Sequence, residues 1–163
     1  MNHELIIGYG GLAGVLIAAI TVIVTLRGIR DQLWLSTFAE YTSRYSQIMG
    51  RVPFAVRDPN GGVTLDDLSD HERECVLGAV RMYANLCSEE LYLHDRKLID
   101  KETWEIWQTG IRDTLRAPCF RAGWQKIRGD YKYYSDFQDR MDGFIKDGDG
   151  LQAIASTAED RAE

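Results

Sequence analysis

Cysteine and proline are scarce, with three of each in 163 residues. Cys75, Cys87 and Cys119 are odd in number and lack framework spacing, which excludes a disulfide-stapled scaffold and fits reduced thiols. Walker loop, G-x-S-x-G elbow and dinucleotide fingerprint are all missing, so the residues those chemistries need are not in place. The HEREC segment carries His71, Glu72 and Cys75 but not the second histidine of the zinc motif it superficially resembles. Asp147 and Asp149 in DGDG lack the closing glutamate of a calcium loop. No catalytic residue, cofactor site or metal site is assigned. The formal net charge of -6 argues against nucleic acid as the main partner.

Charge is also missing from one long stretch. Leu5 to Leu26 holds 22 residues and no charged side chain. At about 1.5 Å per residue such a helix reaches roughly 33 Å, against about 30 Å for a bilayer core. The expectation is a single transmembrane helix within residues 1–26. Lys and Arg are missing before it, while Arg27 and Arg30 follow it, which places the N-terminus outside and the remainder in the cytoplasm. The same asymmetry, reversed from that of a secretion signal, speaks for an uncleaved anchor. Gly10, Gly14 and Ala18, spaced by four, form a strip of small residues suited to close helix packing. Arg27, Arg30 and Trp34 have the chemistry of a membrane interface.

The helical pattern continues beyond Arg27. Trp34, Phe38, Tyr41, Tyr45 and Ile48 recur at intervals of four and three, which predicts an amphipathic juxtamembrane helix over 27–50, closed by Gly50 and Pro53. Its aromatic stripe is either part of the cytosolic core or a seam between protomers. Residues 51–65 read as a loop around RDPNGG. Ser69 and Glu72 form a capping box that starts the next helix near Asp70. That helix has one apolar face of Val76, Val80, Tyr83, Cys87 and Leu91, and a second of Cys75, Ala79, Met82 and Leu86. A helix apolar over so wide an arc is expected at the centre of a bundle.

Asp100 can cap a further helix carrying Trp104, Trp107, Ile111 and Leu115. Pro118 breaks it and opens another with Phe120, Trp124 and Ile127, and Ser135 can cap a last one with Phe137, Met141 and Phe144. The predicted class is all-α: one N-terminal transmembrane helix, then a small cytosolic helical bundle over 51–146. Residues 147–163, small and acidic, read as a disordered tail.

Two polar groupings stand out. Cys87, Glu90 and His94 fall within two turns of one helix, with no second cluster to complete a ligand set. SEELYLHDRK mixes both signs, and Glu89 or Glu90 can reach Arg112 or Arg116 of the next helix as a register-setting pair.

Leu35, Ser36, Thr37, Phe38, Glu40, Tyr41, Thr42, Arg44 and Tyr45, with Leu98, Ile99, Trp104, Trp107, Pro118 and Trp124, carry a resemblance. Over about residues 5–145 the chain resembles a family of small bacterial single-pass membrane proteins of unknown function. The resemblance implies an N-terminal span and a compact cytosolic helical domain, and it brings no activity. The first functional expectation is a non-enzymatic interaction protein, an accessory subunit docking on a larger inner-membrane complex through its span and cytosolic helices. Its partners would be the lipid bilayer and other membrane subunits or itself. The alternative is a ligand-responsive membrane effector acting by self-association, with Arg112, Arg116, Arg121, Lys126 and Arg128 as candidate anion-binding groups.

Overall fold

The structure is a computed structural model. It describes the backbone of residues 3–132 and 136–159, and the side chains of 15–132 and 136–148. Among these residues there are six α-helices, two short 3-10 turns and no strand. The helices are α1 (His3–Met49), α2 (Phe54–Arg57), α3 (Asp70–Asp95), α4 (Lys101–Arg116), α5 (Pro118–Ile127) and α6 (Phe137–Glu159). The all-α class is therefore established. The chain divides into two compact units, Met1–Thr42 and Ser43–Glu163.

The first unit is helical from His3 onward. Among the described residues no helix is long and apolar enough to cross a membrane. The described side chains of α1 begin at Val15, and beyond Leu26 the same helix carries Arg27, Arg30 and Asp31. This corrects the single-pass inner-membrane placement expected from the sequence, together with the orientation built on it. The side chains from Leu5 to Gly14, including the Gly10 and Gly14 positions of the small-residue strip, lie outside the described residues.

In the second unit the local signals act as expected. The Ser69 hydroxyl accepts the Glu72 amide, and the Glu72 carboxylate accepts the Ser69 amide at 3.0 Å, closing the capping box of α3. Asp100 caps α4 by accepting the Thr103 amide at 2.9 Å. Pro118 occupies the first turn of α5, where its missing N–H costs nothing. The cap expected at Ser135 lies outside the described residues.

Two elements sit inside the predicted loop. A single turn, α2, follows Pro53, and a 3-10 turn over Leu65–Asp67 is held by Thr64 and Asp67 in a small capping box of its own. The segment 147–163, expected as a tail without regular structure, is helical as far as Glu159.

The core lies between α3, α4, α5 and α6, with α4 packed on α6 and α3 on α5. Trp124, Phe120, Leu86, Ile111, Leu115 and Met141 are fully buried there. The approach of α5 to α3 is close enough to require glycine: a Cβ at Gly123 would lie 2.8 Å from Val80 Cγ2. The first apolar face of α3 is buried throughout, but the second is only half covered, since Ala79 and Leu86 are buried while Cys75 and Met82 are exposed. On the side of α3 where Cys75 and Met82 lie, the Arg51 guanidinium reaches the Met82 sulfur at 3.4 Å and both side chains stay exposed, so α3 is packed over a narrower arc than its composition suggests.

α3 ends in a Schellman motif, in which the Leu98 amide donates to the Leu93 carbonyl and the Lys97 amide to the His94 carbonyl, both at 2.9 Å. The left-handed position is taken by Lys97, with φ of 56°, where glycine would be strain-free.

Candidate functional site

Two features of the chain go beyond what a stable fold needs, one in each unit. In the first unit, α1 exposes a long apolar surface. Leu16, Ile17, Ile20, Val24, Leu26, Leu33 and Leu35 each keep about 60 to 66% of their surface in contact with solvent. At 100° per residue these positions span an arc of about 200° of the helix, with Ala18, Thr21 and Thr25 on the opposite side.

Two threonines of α1 bond back to its own backbone. The Thr21 hydroxyl donates to the Ile17 carbonyl and the Thr37 hydroxyl to the Leu33 carbonyl, each at 2.9 Å. Ala18, Arg27 and Arg30 are exposed, and Arg30 meets its neighbour Asp31 at 3.4 Å. Trp34 is at the edge of exposure and stacks on Phe38 at 5.6 Å between ring centroids. Phe38 and Tyr41 are half-buried.

The second unit holds the remaining aromatic residues singled out from the sequence. Trp124 is completely buried and meets Tyr131 and Phe137 with centroids at 5.6 Å each. Its indole N–H donates to Asp142 Oδ1 at 2.8 Å, while Arg128 donates to Oδ2 of the same carboxylate at 2.6 Å. Trp104 is buried, with His94 stacked on one side at 4.2 Å and Phe144 tilted at 6.4 Å. Trp107 is buried as well. These three tryptophans belong to the core. Tyr45 is half-way out: its ring meets the edge of Tyr83 at 6.0 Å, and its hydroxyl is 3.4 Å from that of Thr114.

Around Tyr83 lies the second feature, a buried polar cluster on α3. Tyr83, Cys87 and Glu90 follow one another on the covered face of that helix. Tyr83 donates to the Gly110 carbonyl of α4 at 3.4 Å. Burial raises both the Tyr83 hydroxyl and the Cys87 thiol well above their ordinary ranges, so both stay protonated.

Glu90 is 7% exposed. Burial pushes its carboxyl up to about 8 against the attraction of Arg44, and the charge of Glu89 adds to the rise. The ion pair expected from Glu90 or Glu89 to Arg112 or Arg116 does not form. Glu89 is instead engaged by Arg44 of α1 through two parallel bonds of 2.6 and 2.8 Å. The spacing of Glu89 and Glu90 identified two acids at a helix end; which of them faces inward is set by the packing of α1, which has no local signal.

The arginines considered for an anionic ligand are largely turned toward carboxylates. Arg112 faces Asp147 at 3.8 Å, Arg116 faces Asp113 at 3.7 Å, and Arg128 holds Asp142. Lys126 is exposed. Cys87, Glu90 and His94 do not converge, because His94 leans on Trp104 and reaches Asp95 at 3.2 Å. Cys75, expected on the buried face, is exposed with its sulfur 3.9 Å from His71 Nε2. Among the described residues no group of three His, Cys, Asp or Glu is placed to hold a metal ion. No family model, curated protein or solved structure matches this chain.

Proposed function

We infer that this chain is a non-enzymatic interaction protein, an accessory subunit that docks on a larger assembly through α1. The observation that carries this reading is the exposed apolar surface of α1 between Val15 and Leu35, within which the Thr21 hydroxyl bonds back to the Ile17 carbonyl. A helix with so wide an exposed apolar arc is stable in water only when other apolar surfaces cover it. Removing such a surface from water is favourable by about 25 cal/mol per Å², so a dozen large side chains supply a strong drive toward association. A single flat partner covers one face; apolar helices of partner subunits, or further copies of the chain, cover the rest. The internally paired, tightly packed helices α3 to α6 supply the rigidity expected of a docking module rather than a reaction centre.

The test is purification of the C-terminally tagged chain from its native host, with native mass and identification of co-purifying chains, beside the Ile20→Glu variant. A stoichiometric set of partners that is lost in Ile20→Glu supports the reading. A monomer in both preparations overturns it, and a homo-oligomer without other chains removes the accessory role.

A further inference from the structure

The unused chemistry of the second unit is concentrated where the last turns of α1 meet α3. Residues 43–49 belong to this unit; Ile48 and Met49 are buried in its core, and the polar and ring contacts of the segment include the Arg44–Glu89 fork, the Tyr45 ring on Tyr83, and the Tyr45 hydroxyl near Thr114. Beside the fork lies Glu90, buried, adjacent in sequence to Glu89, and receiving no hydrogen bond among the described residues. Both terminal guanidinium nitrogens of Arg44 are directed to Glu89, so Glu90 feels the charge of Arg44 without receiving a bond from it.

We propose that Glu90 is a proton-controlled latch on this contact: protonated, it lets the Arg44–Glu89 fork close over it, and ionised, it draws Arg44 away from Glu89 and releases residues 43–49 from α3. Burying one carboxyl beside an ion pair is tolerable only while that carboxyl is neutral. Two adjacent carboxylates sharing one guanidinium compete for it, and the charge on the inner one also draws water into the contact. The carboxyl of Glu90, pushed up to about 8, changes state within the range where this competition matters.

Among the described residues, Arg44 and Glu89 act on it by their charge. From α1 there are Arg44 and the Tyr45 hydroxyl; from α3 itself Tyr83, Cys87 and Glu89, with His94 one turn further on and bonded to Asp95, which Arg140 of α6 also holds. On α4 the Thr114 hydroxyl and the Gly110 carbonyl meet Tyr45 and Tyr83, and neither titrates. Tyr83 and Cys87 remain protonated through the same range.

The experiment is hydrogen exchange followed by mass spectrometry on the full chain in a non-ionic detergent that shields the apolar part of α1. It compares about pH 6 with about pH 9 after correction for intrinsic rates. The expected result is a loss of about tenfold or more in protection at residues 43–49 at the higher pH, with α5 and the centre of α3 unchanged. Glu90→Gln removes the difference, and His94→Gln keeps it. A loss spread evenly over α3 to α5, no loss at 43–49, or the same loss in Glu90→Gln overturns the latch. Should Glu90→Gln fail to fold, the wild-type chain decides: the midpoint of the Glu90 carboxyl carbon resonance must coincide with that of the exchange at 43–49, and separate midpoints overturn the proposal.

Discussion

Arg44 and Glu89 form a two-bond fork between α1 and α3, at 2.6 and 2.8 Å, across 45 positions of sequence. The two side chains keep 36% and 44% of their surface exposed, so solvent screens much of the attraction. The bidentate geometry raises the pair above the median of exposed ion pairs. Arg44→Gln is expected to lower stability by about 1 kcal/mol, measured by urea denaturation. A double-mutant cycle with Glu89→Gln should return most of that loss as coupling; additive effects would show that the fork contributes nothing of its own.

Glu90 reverses the usual pH dependence of a carboxylate. Its folded-state value of about 8 lies above the ordinary 4.5, so between these values the folded chain binds more protons than the unfolded one. The stability this residue contributes is fully present below the lower value and is lost as pH rises through the higher one. The wild-type chain is therefore expected to lose on the order of 2 kcal/mol between about pH 6 and pH 8 relative to Glu90→Gln. Parallel denaturation profiles for the two chains would place the Glu90 carboxyl in water.

Gly123 permits the closest approach of α5 to α3. A Cβ there would meet Val80 Cγ2 at 2.8 Å, in a core that has no slack on either side. Gly123→Ala should lower stability by about 1 to 3 kcal/mol through overpacking, despite the higher helix propensity of alanine. Adding Val80→Ala to that variant should recover part of the loss, as read from thermal melts.

Lys97 closes α3 with a left-handed backbone at φ of 56°. Its side chain is exposed, so nothing is lost by removing it. Lys97→Gly is expected to stabilise the chain by about 0.5 to 1 kcal/mol, the difference between the steric cost of this conformation and the entropy of glycine. An unchanged or lower melting temperature would show that the Lys97 backbone carries no such strain.

Asp142 satisfies both the Trp124 indole and the Arg128 guanidinium. Asp142→Ala leaves a fully buried N–H and a partly buried cation without their acceptor, for an expected loss of about 2 to 3 kcal/mol. Asp142→Asn retains one acceptor oxygen and should lose less.

The helices of the second unit were legible in the chain because their signals are local. Ser69 with Glu72, Asp100 before Thr103, and Pro118 act within one turn, and the spacing of Val76, Val80, Tyr83 and Cys87 records one buried face. The tryptophans at 104, 107 and 124 were identified as core or seam, and their burial assigns them to the core. The short turns around Phe54 and Leu65 escaped notice because RDPNGG dominates that stretch and neither turn has an apolar period of its own.

The sequence by itself determined the all-helical class, the starts of α3, α4 and α5, and the apolar character of α1, since each follows from side chains a few positions apart. Tertiary structure decided which of two neighbouring acids is buried, that Arg44 rather than Arg112 or Arg116 engages Glu89, that Cys75 faces outward, and that Gly123 is a contact with Val80. Those outcomes depend on which helix lies against which, and pairs separated by 43 or 45 positions leave no periodic trace in the chain.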